Sequence, residues 1–224
     1  MFCGKFTVTM TAANKMRLTV FLIGFVLISF ALRAQVKDTI DYYPGGAIRG
    51  KGRINAGNKE GEWIYYYPNG KVSATENYSS GRLHGRSVFF YPTGIQLGKE
   101  EWRTGSLQDS AWYYHPDGSL EKKGIYRDSR YDGTWLYFHP NGKRDRIVSY
   151  QDGNPEGEVK VYSDLGILIQ VGYYHLGLED GLWRFYDEHG RLAYEGNYQK
   201  GKRTGTWYSF NKKGQRKVWK YDPD

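Results

Sequence analysis

The strongest constraint in this sequence is a unit of 24 residues that repeats along almost the whole chain. Stepping 24 residues from Gly46 lands on a glycine in eight successive copies, and an aromatic residue stands four positions before each glycine. A second column, mostly tyrosine, runs from Ile54 to Tyr198, and a second glycine column begins at Gly57. A fixed period of this length predicts a stack of small supersecondary units rather than one globular core.

Each unit has the pattern of a β-hairpin. Segments such as Trp63 to Tyr67 are short and rich in aromatic and branched residues, as strands prefer. They run into turns such as Pro68-Asn69-Gly70, which suit a hairpin loop of three or four residues, and a second glycine-containing loop, Ser79 to Arg82, leads to the next unit. We therefore predict an all-β fold: an elongated solenoid of repeated hairpins that forms one long twisted antiparallel sheet. The repeat domain spans residues 35–224, with units near 37–60, 61–84, 85–108, 109–132, 133–156, 157–180, 181–204 and 205–224.

The unit resembles the MORN repeat, most closely at Tyr194 to Thr206. The spacing of Gly61, Trp63, Tyr66 and Gly70 is similar to that of the bacterial MORN-variant proteins of the YwqK-like class, which are often labelled antitoxin components. This resemblance implies an interaction scaffold, in some cases with phospholipid or membrane contacts. The copies at Ser87, Ala111 and Val159 lack the tryptophan of the pattern.

Residues 1–34 have the layout of a secretory signal peptide. Lys15 and Arg17 precede an apolar run from Leu18 to Leu32, and Ala34 precedes the expected cleavage site. The run is shorter than the ~20 residues of a membrane-spanning helix, so an uncleaved anchor is the less favoured alternative. Met16 is an alternative start. We expect an exported protein in the periplasm, at the envelope or outside a bacterial cell.

The mature chain would contain no cysteine, because Cys3 is the only one in the sequence. Its charge would be mildly basic, which does not argue for nucleic acid. One stretch near the C-terminus is strongly basic and fits either a polar cap on the last repeat or a surface for an anionic membrane or an acidic partner. This basic patch consists of Lys200, Lys202, Arg203, Lys212, Lys213, Arg216, Lys217 and Lys220.

The hairpin register decides which face of the sheet is core. With a three-residue loop, we expect the Tyr66 column to share the core face with the tyrosine column and with four glycines that leave room for rings; a four-residue loop would exchange the two faces. The opposite face would then carry an exposed aromatic stripe, and a stripe of this size is typical of an interface. The predicted interaction surface is Trp63, Tyr65, Tyr67, Phe89, Tyr91, Tyr113, His115, Trp135, Tyr137 and His139.

No catalytic motif is recognisable, so we predict a protein that is not an enzyme and has no cofactor or metal. His115 and His139 occupy equivalent positions one unit apart, but a zinc site needs at least one more ligand. Glu76 and Glu100 repeat in the same way, and repetition alone explains their proximity.

The sequence favours an exported binding scaffold for a protein or membrane-surface partner. The alternatives are an antitoxin or immunity component and a purely structural envelope protein. Neither the partner nor the oligomeric state follows from the sequence.

Overall fold

The computed structural model describes residues 36–220, which form 17 β-strands and no helix. The predicted signal peptide and the last four residues of the final unit lie outside the described residues. In the described part, no helix is long and apolar enough to cross a membrane. The strands are β1 (Lys37–Tyr42), β2 (Ile48–Asn55), β3 (Asn58–Tyr66), β4 (Val72–Ser79), β5 (Arg82–Leu83), β6 (Gly85–Phe90), β7 (Gln96–Arg103), β8 (Ser106–Tyr114), β9 (Leu120–Arg127), β10 (Arg130–Phe138), β11 (Arg144–Gln151), β12 (Asn154–Tyr162), β13 (Leu168–His175), β14 (Leu178–Tyr186), β15 (Leu192–Gln199), β16 (Lys202–Phe210) and β17 (Arg216–Trp219).

The strands belong to one antiparallel sheet in which each strand pairs with its neighbours in sequence. β5 and β6 both pair with β4, so they are two pieces of a single strand position. This arrangement confirms the predicted all-β sheet of repeated hairpins.

The turn inside each unit is a three-residue loop, which is one of the two lengths allowed by the sequence. In the turn at Pro68-Asn69-Gly70, the Tyr67 N–H donates to the Lys71 carbonyl at 2.8 Å and the Gly70 N–H donates to the Tyr67 carbonyl at 2.9 Å. Gly70 has a φ of 80°, a conformation that glycine adopts without steric cost. The same two hydrogen bonds recur in every unit from Tyr43 to Asn211.

The turn between units is tighter. Ser80 and Gly81 have φ values of 50° and 80°, the signature of a two-residue primed turn whose twist matches that of the flanking strands. The Gly81 N–H also donates to the Lys59 carbonyl, at 2.9 Å, and thereby ties this turn to the equivalent turn of the preceding unit.

A β-bulge beside each hairpin turn except the last reverses the face predicted for the Tyr66 column. Tyr66 pairs with Val72, but Tyr65 pairs with Ala74, so Ser73 is an extra residue in β4. One extra residue shifts every following side chain to the other face. Tyr78, which lies opposite Gly61, therefore shares a face with Trp63 and Tyr65 and not with Tyr66. The prediction was therefore wrong for the Tyr66 column, whereas the tyrosine column and the four glycines share the face of the tryptophan column.

A second irregularity, at the start of the following strand, places the tryptophan. Between β2 and β3, Lys51 pairs with Ile64 while Arg53 pairs with Glu60, so β3 carries two extra residues opposite Gly52. Gly61 takes a φ of 68° inside this bulge. The distortion brings the Trp63 ring onto the backbone of Gly52, where the rings were expected to have room.

Candidate interaction faces of the sheet

The face of the sheet that carries the tryptophan column, here called the Trp face, is the packed side of the molecule. Trp63, Trp135, Trp183 and Trp207 are at most 1% exposed. The other buried side chains, those of Ala74, Ser87, Leu107, Ala111, Val148 and Val159, all lie on the same face. Within residues 36–220, a single sheet thus forms its core from side chains laid along its own surface.

Each of these tryptophans lies on a glycine of the preceding strand, always at the same spacing in sequence. A Cβ atom built on Gly172 would stand 2.1 Å from the Trp183 ring, and one on Gly196 would stand 2.1 Å from the Trp207 ring. Every indole N–H of the four also donates to the backbone carbonyl of the residue after that glycine, for example Trp183 Nε1 to the Tyr173 oxygen at 3.2 Å. The glycine and the tryptophan therefore act as one packing unit across the boundary between repeats.

Where the tryptophan is missing, the glycine is missing too. In the three units concerned, the glycine position is occupied by Glu76, Glu100 or Val148. The corresponding tryptophan position is occupied by Ser87, Ala111 or Val159, at the same spacing as between Gly172 and Trp183. A small residue is thus matched with a glutamate at two of these junctions, and two valines of intermediate size meet at the third. This exchange keeps the filled volume roughly constant, as a close-packed layer requires.

The two glutamates of these exchanges are acceptors in a hydrogen-bond network on the Trp face. The Tyr78 hydroxyl donates to Glu76 Oε2 at 2.5 Å, and the Tyr113 hydroxyl donates to Glu100 Oε1 at 2.6 Å. Trp102 Nε1 donates to Glu100 Oε2 at 3.2 Å. Burial and these hydrogen bonds raise the pKa values of Tyr78 and Tyr113 well above the ordinary range, so both hydroxyls remain donors at neutral pH.

Cations also lie on the Trp face. The Lys59 ammonium is 4.5 Å from the ring centroid of Trp63 and 4.9 Å from that of Tyr78, and it contacts the Tyr65 hydroxyl. Lys122 lies 4.8 Å from the ring centroid of Tyr113. These cation–π contacts are internal to the layer, and they cover rings that would otherwise face solvent.

The predicted interaction surface is brought together on one side of the sheet, but it is not an exposed stripe. Trp63 and Trp135 are fully buried, which corrects the expectation that they are exposed. The other members are half-buried: Tyr65, Phe89, Tyr113 and Tyr137 on the Trp face, and Tyr67, Tyr91, His115 and His139 at the hairpin turns. A binding role for this set stays a prediction.

The hairpin-turn members of this set join neighbouring units. The Tyr67 hydroxyl donates to the Phe90 carbonyl at 2.7 Å, and the Tyr91 hydroxyl donates to the Tyr114 carbonyl at 2.9 Å. His115 and His139 continue the ladder, each with its Nε2 3.0 Å from the carbonyl of the next unit. Residues 36–220 contain no cluster of three or more His, Cys, Asp or Glu side chains that could hold a metal ion.

The opposite side of the sheet, here called the second face, carries apolar residues that the sequence reasoning did not select. Tyr173 is 47% exposed, Leu182 is 41% exposed and Ile125 is 39% exposed. Beside Ile125 lies a shallow groove of about 220 Å³ that Trp112 and Leu136 help to line. The sequence shows that these apolar residues alternate with residues of the Trp face. It does not show which of the two faces is buried, because that depends on the bulge.

Seven of the eight side chains of the basic patch are exposed, and they lie in the last unit or in the few residues before it. The exception is Arg203, which is half-buried with its guanidinium 5.2 Å from the ring centroid of Trp207 and 5.1 Å from that of Trp219. Arg216 lies 4.5 Å from the Tyr208 ring centroid on the second face. Arg203 therefore belongs to the packing of the Trp face.

Two solved structures are distantly similar to this chain. A TcdB2-TccC3-Cdc42 crystal structure matches 83% of this chain at 11% identity, with a TM-score of 0.19, and this chain covers 14% of that chain. A porin-like protein from Bacteroides uniformis matches 82% of this chain at 8% identity, with a TM-score of 0.20 and 92% of its own length covered. Likenesses this weak carry no argument about fold or function.

No curated protein matches the chain. The family described as MORN repeat variant matches three stretches, residues 59–80, 131–152 and 179–200. Each stretch begins in the first strand of a hairpin, contains a tryptophan packed on a glycine, and ends in the two-residue turn. Three stretches of this repeat protein are therefore similar to the MORN repeat of the variant type.

Proposed function

We propose that this chain is an exported, non-enzymatic scaffold that binds a partner protein through the second face of its sheet. MORN repeats are commonly involved in binding interactions, which supports the general role. The Trp face is occupied by its own packing layer, so the opposite face is the better candidate for contact with another molecule.

The observation that carries this proposal is the exposure of large apolar side chains on the second face. Tyr173 lies on β13 and Leu182 lies on the adjacent β14, and each is more than 40% exposed. Ile125, Trp112 and Leu136 extend the apolar surface into the middle units. Apolar residues grouped in this way on a soluble protein mark an interaction surface, and aromatic anchors contribute most to such interfaces.

The experiment is partner capture from envelope fractions with variants of the second face. Tyr173→Ser combined with Leu182→Ser should reduce the captured partner at least tenfold, because the loss of one interface anchor costs about 2 kcal/mol. The melting temperature should change little, since both side chains are exposed. Leu165→Ser is the matched control, because Leu165 is 66% exposed but lies in a hairpin turn. Equal capture by the double variant and the parent would refute the assignment of this face.

Export is supported by the pattern of residues 1–34 and can be tested directly. Mass spectrometry of the natively expressed protein should find an N-terminus at or near Gln35. An intracellular product that retains Met1 or Met16 would contradict the proposal.

Two further roles stay hypotheses. Binding to an anionic membrane surface would use the basic patch, and vesicle co-sedimentation that decreases with rising salt would support it. An antitoxin or immunity role depends on the family resemblance alone.

A further inference from the structure

Two lysines flank a tryptophan in the middle of the second face. Lys99 of β7 pairs with Trp112 of β8, and Trp112 pairs in turn with Lys123 of β9. Their neighbours Ala111 and Gly124 belong to the Trp face, so the side chains of Lys99, Trp112 and Lys123 point to the second face. Adjacent strands are about 4.8 Å apart, which places the Cα atoms of the two lysines about 10 Å from each other. These three residues are here called the Lys-Trp-Lys row.

The Lys-Trp-Lys row combines two ammonium groups with apolar surface. The Lys99 ammonium lies 4.1 Å from the ring centroid of Trp112, and all three side chains of the row are half-buried. Apolar side chains close both ends of the row, because Val88 pairs with Lys99 and Leu136 pairs with Lys123. The shallow groove of the second face opens beside Leu136 and Lys123. Long lysine stems that lie on apolar surface in this way leave their charged ends available to another molecule.

The two lysines of the row lack the carboxylate partner that other cations of this face have. Three cations of the second face form ion pairs with a glutamate of the same chain, at 2.8, 2.6 and 3.4 Å: Arg86 with Glu101, Lys160 with Glu158 and Arg184 with Glu195. Within residues 36–220, neither Lys99 nor Lys123 forms an ion pair. The row therefore presents two positive charges that a ligand can match.

These features restrict the chemistry of a molecule that covers the row. A purely apolar surface would remove two ammonium groups from water without a counter-charge, which is strongly unfavourable. A flat anionic membrane would meet the carboxylates of Glu101, Glu158 and Glu195 on the same face, and like charges repel. A ligand that carries carboxylates only near the two lysines, and apolar surface between them, satisfies both conditions.

We propose that the Lys-Trp-Lys row binds an acidic segment of the partner protein in which two carboxylates flank an apolar side chain. The ammonium groups of Lys99 and Lys123 donate charge-assisted hydrogen bonds to the carboxylates. The apolar side chain packs against Trp112 and into the groove beside Leu136. This inference rests on the proposed function, because it uses the same face of the sheet, and it adds the chemical class of the partner.

Fluorescence anisotropy with a labelled random copolymer of glutamate and tyrosine tests the proposal on the natively processed full chain. The parent protein should bind the copolymer with an affinity that falls as salt rises, and it should bind polyglutamate more weakly because no aromatic ring is then available to pack on Trp112. Lys99→Glu combined with Lys123→Glu should weaken binding of the copolymer at least roughly tenfold, because like charges then face each other. Lys99→Gln combined with Lys123→Gln removes the two charges and keeps the length of the side chains, and it should weaken binding in the same direction.

The matched control combines Lys51→Glu with Lys212→Glu. It changes the net charge by the same amount, and Lys51 occupies the position of Lys99 two units earlier, between Ile40 and Ile64 instead of beside a tryptophan. This variant should bind the copolymer as the parent does. Melting curves of all variants should agree with that of the parent.

Three results would overturn the proposal. The first is a parent protein that does not bind the copolymer, and the second is a control variant as impaired as the variant with both lysines of the row reversed. The third is binding to phosphatidylserine vesicles, but not to the copolymer, that is lost when Lys99 and Lys123 are reversed, because this would assign the row to a lipid surface.

Partner capture separates this proposal from the proposed function. Reversal of Lys99 and Lys123 should reduce the partner captured from envelope fractions, as the change of Tyr173 and Leu182 does. Capture that depends on Tyr173 and Leu182 but not on the two lysines would overturn the acidic segment alone. Capture that depends on neither pair would overturn both.

Discussion

The contact between Gly172 and Trp183 leads to a quantitative prediction. A Cβ atom at residue 172 would stand 2.1 Å from the Trp183 ring, a separation far below any real contact, so Gly172→Val requires the indole to move. Overpacking of this kind costs about 1 to 3 kcal/mol, and loss of a buried tryptophan side chain costs about 3 to 5 kcal/mol. If the two effects are independent, a variant that carries both changes should lose between about 4 and 8 kcal/mol of unfolding free energy.

We expect the combination of Gly172→Val and Trp183→Val to cost at least about 2 kcal/mol less than the sum of the two single variants. The reason is that two valines at these positions reproduce the natural pair of Val148 and Val159, which packs directly across the equivalent junction of the preceding unit. The measurement is urea unfolding followed by far-UV circular dichroism, with unchanged m-values as the check that the same transition is compared.

The matched control combines Gly172→Val with Trp135→Val. These two residues belong to different packing units, so their costs should add within about 0.5 kcal/mol. Additive costs for the Gly172 and Trp183 pair as well would refute the idea that the glycine is present to receive the ring. A Gly172→Val variant as stable as the parent would do the same.

Three further predictions concern the turns. Gly142→Val should lower the free energy of unfolding by about 1 to 3 kcal/mol. The cost comes from backbone strain alone, because φ is 79° and no atom lies within 4 Å of the added Cβ. Hydrogen exchange should rise mainly in residues 133–156, and a uniform rise would contradict local coupling. Tyr67→Phe should lower the free energy of unfolding by about 1 kcal/mol, because the 2.7 Å hydrogen bond to the Phe90 carbonyl is lost. Urea unfolding measures this change. An unchanged urea midpoint would show that a hydrogen bond from water replaces the one from the tyrosine hydroxyl. Hydrogen bonds from Arg191 lower the pKa of Asp187 from 3.8 to about 2, so its contribution to stability is present above pH 3.8 and is lost as the pH falls through about 2. The difference in melting temperature between the parent and Asp187→Asn should therefore shrink from pH 5 to pH 2, and a difference that stays constant would exclude titration of this carboxylate as the cause.

Much of the fold follows from the sequence because the repeat supplies the same local signal eight times. The Pro-Asn-Gly and Ser-Gly turns fix where each strand ends, and both turn types are found where they were expected. The hairpin meander follows, since equal spacing allows each strand to pair with its neighbour in sequence.

The core face could not be predicted from the sequence, because the position of a single extra residue decides it. Ser73 is the extra residue of the bulge in β4, and a polar residue beside a turn gives no signal that distinguishes a bulge from regular pairing. The sequence does contain one usable sign: the pair of Gly172 and Trp183 recurs at a constant spacing, and both members are replaced together at Glu76 and Ser87. Correlated replacement of this kind indicates contact, and contact would have placed the tryptophan on the glycine-lined face.

The glycine and tryptophan of one packing unit belong to different repeats, and this limits how the chain can be shortened or lengthened. Removal of residues 61–84 would bring Gly52 against Ser87 and leave a gap where an indole belongs. Removal of residues 85–108 would bring Glu76 against Ala111, a combination of the kind the chain already uses at Glu100. Two deletions of equal length and equal register therefore differ in their outcome, and a repeat protein of this type can gain or lose units only at junctions where the new neighbours match in size.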